Sequence, residues 1–153
     1  MTKPLDAVRG MTNAAQPLPN LVTGGQPSAE QLAALRDAGG TVVVDIRDPM
    51  EPRPFDERAT VEGLGMKYVN VPVSPGNTGD AAMEKILGAI RENAGGTVLL
   101  HCASGNRTGG PLIAHLMLDH GVPEDDAVSR AMEGGLRSPE YLEWGVGFAR
   151  RQR

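Results

Sequence analysis

The chain has 153 residues, of which 40% are hydrophobic and 3% aromatic, and a formal net charge of −4 at pH 7. These values suit one domain with an aliphatic core, and they argue against a nucleic-acid-binding protein, whose charge balance is usually basic. No apolar run approaches the roughly 20 residues of a membrane span, and residues 1–10 lack the apolar core of a signal peptide. The single cysteine excludes an internal disulfide and suits a reducing compartment. We therefore expect a cytoplasmic protein with neither nucleic-acid nor membrane partners.

Strand and helix patterns alternate along the chain after an irregular start. Residues 1–19 contain three prolines and little periodicity, so we predict an N-terminal arm or tail, followed by one domain over residues 20–150. The predicted strands are residues 20–23, 41–46, 67–71 and a run from 97 that ends at His101. The predicted helices cover residues 28–38, 56–64, 81–91, about 112–118, 124–133 and 139–150. This alternation predicts an α/β fold with a central, mainly parallel sheet flanked by helices in a compact single domain.

The only cysteine lies where a predicted strand ends and a predicted helix begins. The apolar run Thr97-Val98-Leu99-Leu100 precedes His101-Cys102, and an apolar helical pattern starts at Leu112. The intervening turn is built from the small or polar residues Ala103, Ser104, Gly105 and Asn106, followed by Arg107. Backbone N–H groups in such a turn, together with the helix dipole, form a cradle for an anion.

This setting also favours a reactive thiolate at Cys102, because the amides and the Arg107 cation stabilise negative charge on sulfur. We accordingly assign Cys102 as a nucleophile and residues 103–107 as the seat of a phosphate, sulfate or other oxyanion. A buried structural cysteine is the alternative, since free cysteine is often buried. Arg107 and the glycines would have little purpose beside an inert thiol.

A second polar segment follows the predicted strand at residues 41–46. In open parallel sheets, ligands bind beyond the carboxyl ends of the strands, so this segment and Cys102 face one pocket. Arg47 could assist there in binding an anion. A surface ion pair of Arg47 with Asp48 or Glu51 is an equally good interpretation.

The pattern His-Cys, a short loop containing glycine, and Arg-Thr-Gly resembles the phosphate-binding loop of cysteine-dependent protein tyrosine and dual-specificity phosphatases. Residues 20–27 (NLVTGGQP), the strand around Val42, residues 65–72 (GMKYVNVP) and His101-Cys102 occur in the order seen in compact members. The chain is most similar to the phosphatase-like domain of the bacterial beta-lactamase-hydrolase-like family, over about residues 18–135.

The resemblance implies a role for each matching residue of the loop. Cys102 matches the nucleophile, Arg107 matches the clamp on the phosphoryl oxygens, and Thr108 matches the hydroxyl that assists the thiolate. His101 matches a histidine that braces the loop through hydrogen bonds. The implied substrate is a phosphate monoester, including phosphotyrosine, and the implied intermediate is a phosphocysteine.

Two features depart from the phosphatase pattern. Those phosphatases place five residues between the cysteine and the arginine, whereas four separate Cys102 from Arg107, a spacing that rhodanese-type sulfurtransferases use. The position of the phosphatases' aspartic general acid is occupied here by Pro75, which cannot donate a proton. Asp80 is the nearest substitute, although a helix N-cap is the better interpretation of it.

Three functions therefore remain open. The first is a cysteine-dependent phosphatase, the second is a sulfurtransferase carrying a persulfide on Cys102, and the third is a non-catalytic binder of anions or phosphoproteins. His115 and His120 have no cysteine or carboxylate partners at ligand spacing, so we predict no metal and no other cofactor.

Overall fold

Five strands form one sheet in the computed structural model, which describes residues 3–152. The strands are β1 (Ala15–Leu18), β2 (Leu21–Gly24), β3 (Gly40–Asp45), β4 (Lys67–Asn70) and β5 (Thr97–His101). The helices are α1 (Pro4–Ala7), α2 (Ala29–Asp37), α3 (Glu57–Gly63), α4 (Asp80–Glu92), α5 (Gly109–His120), α6 (Glu124–Glu133) and α7 (Pro139–Gln152). No helix in this described part is both long enough and apolar enough to cross a bilayer.

The strand order is β1-β2-β5-β3-β4, with β2, β5, β3 and β4 parallel and β1 antiparallel at one edge. His101 at the end of β5 is level with Gly24 on one side and with Asp45 on the other. The carboxyl ends of the three central strands therefore meet at one edge of the sheet, and the chain beyond each end contributes to the same region.

Helices cover both faces of the sheet, because alternate residues of the central strands are apolar on each side. Val42, Val44, Val98 and Leu100 point into a core shared with α4, α5, α6 and α7. Val43 and Leu99 point into a second core with residues of α2 and α3 and with Val8 and Met11 from the N-terminal segment.

The predicted fold class is confirmed, and the helices and strands predicted from residue 20 onward lie within a few residues of their expected bounds. The segment predicted as an arm or tail holds more structure than its prolines indicated. Within residues 1–19 the chain forms α1 and β1, and β1 joins the sheet. Met1 and Thr2 lie outside the described residues. An edge strand needs few ladder hydrogen bonds, which is why β1 accommodates Pro17.

Helices α5 and α7 pack so closely that a side chain would not fit at Gly110 or at Gly145, where the two helices meet. A Cβ built on Gly110 would lie 2.6 Å from the Trp144 ring, and one built on Gly145 would collide with the carbonyl oxygen of Gly110. The first turn of α5 is thereby held against the middle of α7.

Candidate functional site

Cys102 lies directly beyond β5, at the start of the turn that leads into α5. Its backbone N–H donates to the carbonyl of Gly24 at 3.1 Å, which extends the sheet by one residue. The residue is 1% exposed, and its Sγ accepts a hydrogen bond from the Gly105 N–H at 3.1 Å. A donor aimed at sulfur stabilises negative charge there.

Carbonyls of the turn are hydrogen-bonded to neighbouring segments, whereas most of its amides are unpaired within the described residues. The carbonyl of Ala103 accepts the Gln26 N–H at 3.1 Å, and that of Ser104 accepts Asn13 Nδ2 at 2.7 Å. Within residues 3–152, no acceptor is bonded to the backbone N–H groups of Ala103, Ser104, Asn106, Arg107 and Thr108. Unpaired donors converging at a helix N-terminus are the arrangement that binds an oxyanion.

Arg107 is held end-on, with one side of its guanidinium left open. Nη1 and Nη2 donate to the two carboxylate oxygens of Glu51 at 2.6 and 2.8 Å, and Nη1 also donates to the carbonyl of Val73 at 2.9 Å. No partner in the described part of the chain takes the Nε–H of Arg107. A guanidinium has five N–H donors, so the fork formed by Nε and Nη2 remains available to an oxyanion.

The Glu51–Arg107 pair stays ionised over the ordinary pH range. The hydrogen bond from Arg107 is the main reason that the pKa of Glu51 falls to about 2, with burial opposing it and the Asp48 amide assisting it. The same bond to Glu51 raises the pKa of Arg107 above its ordinary value. Glu51 is therefore a carboxylate, and not a proton donor, while it holds Arg107.

Asn106 and Thr108 stabilise the second half of the turn, where it leads into α5. Asn106 Oδ1 accepts the backbone N–H groups of Arg137 and Ser138 at 2.8 and 3.1 Å, and its Nδ2 donates to Ser138 Oγ at 2.9 Å. Thr108 Oγ1 donates to the carbonyl of Gly105 at 2.9 Å. The hydroxyl proton of Thr108 is thus directed to a carbonyl, and its assistance to the thiolate stays a prediction.

His101 is fully buried beneath the turn and joins it to α3. Its Nδ1 lies 3.1 Å from the carbonyl oxygen of Cys102, and its Nε2 lies 2.5 Å from Oε2 of Glu57. Glu57 Oε1 also accepts Gln26 Nε2 at 2.6 Å. Burial alone would lower the pKa of His101, but the Glu57 carboxylate outweighs it, and the net shift is upward. This placement is the one that the resemblance implied for a bracing histidine.

Asp45, Glu57 and His101 form a buried group whose possible ligand atoms lie within 4.8 Å of one another, a spacing that a metal ion could use. Oδ2 of Asp45 already accepts the hydroxyl of Tyr68 at 2.6 Å and the guanidinium of Arg53 at 2.7 Å. The Glu57 oxygens are likewise bonded. This donor set fits a hydrogen-bond network, since its lone pairs are already engaged.

Asn13 reaches the turn from the N-terminal segment in an unusual conformation. Its φ is +54°, the only positive value among the non-glycine residues that the structure describes. Gly105 has a φ of +96°, and a Cβ there would lie 2.8 Å from the Gly134 carbonyl oxygen and 3.1 Å from Asn13 Cβ. Left-handed backbone costs a side chain energy, so both residues are placed to shape the turn.

Two predicted site residues lie outside the site. The guanidinium of Arg47 is buried and donates to Gln26 Oε1 at 2.6 Å, Glu51 at 3.3 Å and the Pro52 carbonyl at 2.8 Å. Arg47 therefore pairs with Glu51, one of the two partners expected, but its side chain is buried and not at the surface. Asp80 is the first residue of α4, whose N-cap is Gly79, and its carboxylate pairs with Arg151 at 2.5 Å. Asp80 is therefore neither the cap that the sequence indicated nor a group facing Cys102.

A cavity of about 530 Å³ opens above the turn. Its walls come from the loop after β3, the loop after β4, the turn itself and α7; the lining residues are Asp48, Glu51, Ser74, Pro75, Ser104, Asn106, Arg107 and Tyr141. Pro75 thus lies in the cavity, at the place where the resemblance implied a general acid.

The chain matches the family model described as a DSP-PTPase phosphatase fused to NAD+ kinase, over residues 8–136. It belongs to this phosphatase family. The predicted membership of the cysteine-dependent phosphatases, and the prediction of a hydrolase, are therefore confirmed. The narrower resemblance to beta-lactamase-hydrolase-like proteins stays a prediction. Among curated proteins, none matches the sequence.

Solved structures support the same fold. A DUF442 protein from Shewanella putrefaciens CN-32 superposes with a TM-score of 0.81 at 22% identity, covering 96% of this chain and 97% of its own. Tk-PTP in its active form gives 0.75 at 22% identity, covering 91% and 97%. A cysteine-to-serine variant of Pseudomonas aeruginosa TpbA, solved with phosphotyrosine, gives 0.71 at 20% identity, covering 98% and 86%.

Sequence reasoning missed the residues that brace the turn. Glu51 lies in a proline-rich loop without periodicity, and Asn13 lies in the segment read as an arm. Gln26 lies in the Gly-Gln-Pro segment on which the resemblance partly rests, but the resemblance gave it no role. No local sequence pattern indicates the role of Glu57, because its partner His101 is 44 residues away in the chain.

Proposed function

We propose that this phosphatase hydrolyses phosphate monoesters by nucleophilic catalysis on Cys102. The supporting observation is the joint placement of the buried sulfur, the unpaired amides of the turn and the open fork of Arg107. A phosphoryl group seated in the turn would have sulfur below it and N–H donors around its three equatorial oxygens.

The reaction divides into two displacements at phosphorus. In the first, Sγ forms a bond to phosphorus while the bond to the ester oxygen breaks, and the leaving group carries away the electron pair. In the second, a water oxygen attacks phosphorus, the phosphorus–sulfur bond breaks, and the water proton is lost to solvent. Arg107 and the amides stabilise the charge on the equatorial oxygens in both steps.

The site supplies little acid assistance to the leaving group. Pro75 has no proton to give, Asp80 pairs with Arg151 away from the cavity, and Glu51 remains ionised beside Arg107. We therefore expect slow turnover of aryl esters such as p-nitrophenyl phosphate and much slower turnover of alkyl esters, which need a proton as the bond breaks. Asp80→Asn should leave both rates almost unchanged.

The remaining cavity carboxylate, Asp48, is tested on the same pair of esters. A loss of roughly 100-fold in Asp48→Asn, larger for the alkyl ester, would identify an acid and contradict this expectation.

The decisive experiment is mass spectrometry of the quenched protein during turnover of p-nitrophenyl phosphate. We expect a phosphate adduct on Cys102 of the wild-type protein. Cys102→Ser should show neither the adduct nor turnover. Binding of phosphate without turnover in the wild-type protein would instead indicate the non-catalytic binder.

The sulfurtransferase is kept as a second candidate because four residues, and not five, separate Cys102 from Arg107. Sulfur transfer also needs no acid for an alkoxide, so Pro75 would be no handicap. Incubation with thiosulfate distinguishes the two: an added sulfur on Cys102 and transfer to cyanide, without ester hydrolysis, would replace the phosphatase proposal.

A further inference from the structure

We propose that the site selects phosphotyrosine segments flanked by lysine or arginine and discriminates against phosphoesters that carry further negative charge. The proposal rests on the proposed function and names its substrate class. It follows from the charges around the mouth of the cavity.

Carboxylates surround the cavity. Asp48 and Glu51 line it, and Glu140 precedes the lining residue Tyr141 and accepts the Gly76 N–H at 3.0 Å across the opening. Burial chiefly raises the pKa of Tyr141; the Arg107 cation lowers it, and the charges of Glu140 and Glu51 add to the rise. Glu140 and Glu51 therefore both act on the Tyr141 wall of the cavity, and Asp48 lines the same cavity.

The nearby cations are engaged elsewhere. Arg107 is paired with Glu51, and it is the only basic side chain that lines the cavity within the described residues. Arg47 is buried behind Glu51. Arg137 lies beside the turn through its backbone; the carbonyls of Met132 and Leu136 hold its guanidinium, which keeps its charge but does not line the cavity.

Binding of a phosphoryl group would leave the negative charges of Asp48 and Glu140, which we call the rim of the cavity, without a nearby cation among the described residues. The phosphoryl charge would be met by Arg107 and the amides, whereas Asp48 has its backbone hydrogen bond from Met50 and no cation partner in the described part of the chain. Glu140 likewise has no basic partner there. A lysine or arginine beside the ester would pair with these carboxylates, and a second phosphate or a glutamate would be repelled.

Two of the lining residues, Pro75 and Tyr141, suit an aromatic ester. Pro75 and Tyr141 stand at the wall of the cavity, and Tyr141 is 5% exposed. An aryl ring leaving the turn would contact these two side chains, with its peptide neighbours at the acidic rim.

The test compares two phosphotyrosyl peptides of equal length, one with lysine and one with glutamate on both sides of the phosphotyrosine. At low ionic strength we expect kcat/KM to favour the lysine peptide by about tenfold, since each rim contact contributes a screened Coulomb attraction. The preference should largely disappear in about 1 M NaCl, where the Debye length falls to about 3 Å.

Variants assign the preference to the rim. Asp48→Asn and Glu140→Gln keep the shape and the backbone hydrogen bonds, and each should lower the ratio of the two kcat/KM values several-fold. The ratio is informative even if the chemistry slows, because a common loss cancels. Glu92→Gln makes the same charge change at the far end of α4, where Glu92 is exposed, and should leave the ratio unaltered.

Turnover of p-nitrophenyl phosphate tests the phosphatase activity separately from the preference for flanking cations. If that ester is hydrolysed but the peptides are hydrolysed equally, or the glutamate peptide is preferred, the substrate class is wrong and the phosphatase stands. A preference that survives in the double variant Asp48→Asn/Glu140→Gln also overturns the proposal. If no phosphoester is hydrolysed, both proposals fall together.

Discussion

Arg107 has two faces with different tasks. Glu51 holds the end of its guanidinium through two hydrogen bonds, and the side fork formed by Nε and Nη2 is left available to an anion. A single positive charge at this position would not suffice, because the fork has to match two oxygens at once while its end is held.

Arg107→Lys tests the geometry separately from the charge. The ammonium keeps the cation but cannot chelate Glu51 and bind an oxyanion bidentately, so vanadate should inhibit at least about tenfold less well. Arg58→Lys on α3, where the guanidinium lies over the Tyr68 ring, is the matched control and should bind vanadate normally. Unchanged inhibition in Arg107→Lys would show that the fork does not bind the anion.

Glu51 gives a pH signature of its own. Its folded pKa of about 2 lies below the ordinary value of 4.5, so the ion pair stabilises the protein above about pH 4.5, and this stabilisation is lost as the pH falls towards 2. Glu51→Gln should be less stable at pH 7 by about 1 kcal/mol or less, since the pair is partly exposed. Urea unfolding between pH 7 and pH 2.5 should show a smaller loss for the variant; parallel curves would contradict the prediction.

At the scale of elements, the turn between β5 and α5 depends on segments that are distant in the chain. Asn13 holds Ser104 from the N-terminal segment, Gln26 holds Ala103 from the loop before α2, and Asn106 is bonded to the chain before α7. The turn is thus shaped by its neighbours, since most of its own amides are left unpaired in the described part of the chain.

Substitutions of Asn13 should reverse the usual order of alanine and glycine. Asn13→Gly removes the bond to Ser104 at a cost of about 1 kcal/mol but keeps the left-handed backbone without strain. Asn13→Ala loses the same bond and, relative to glycine, carries about 1–2 kcal/mol for a Cβ at positive φ. Chemical denaturation should therefore rank Asn13→Ala as the less stable variant. An alanine variant as stable as the glycine variant would mean that the backbone relaxes.

Local pattern explains which elements the sequence predicts. The strand at β5 and the following turn are read correctly because apolar β-formers, small residues and glycine follow one another there. β1 is missed because a short edge strand with a proline lacks alternation. Asp80 is misread because an acidic residue at the first helical position looks like a cap, whereas the cap is Gly79.

At the scale of the whole molecule, a buried network joins three parts of the fold. Glu57 on α3 meets His101 at the end of β5 and Gln26 before α2, and Gln26 in turn meets Arg47 after β3. These contacts connect residues far apart in sequence, so no local pattern could have predicted them. The resemblance alone supplied the role of His101.

The network should make the protein less stable as the pH rises above neutrality. The pKa of His101 is raised by Glu57 against the effect of burial, so its contribution is full below about pH 6.5 and is lost as the pH rises through the raised folded value. Glu57→Gln removes the carboxylate, and its stability should therefore fall less steeply above pH 6.5 than that of the wild-type protein. Thermal unfolding from pH 5.5 to pH 9 measures the difference, and identical slopes would show that His101 does not titrate in this range.

The glycine contact between α5 and α7 fixes the frame in which the turn works. With Gly110 against Trp144 and Gly145 against the Gly110 carbonyl, the start of α5 cannot move towards α7 when an anion arrives. The binding seat is thus preorganised: its shape is set during folding, and little ordering has to occur on binding. A methyl group added by Gly145→Ala would push the two helices apart and shift the start of α5. Anion affinity would then fall through a residue of the C-terminal helix that touches no part of the cavity.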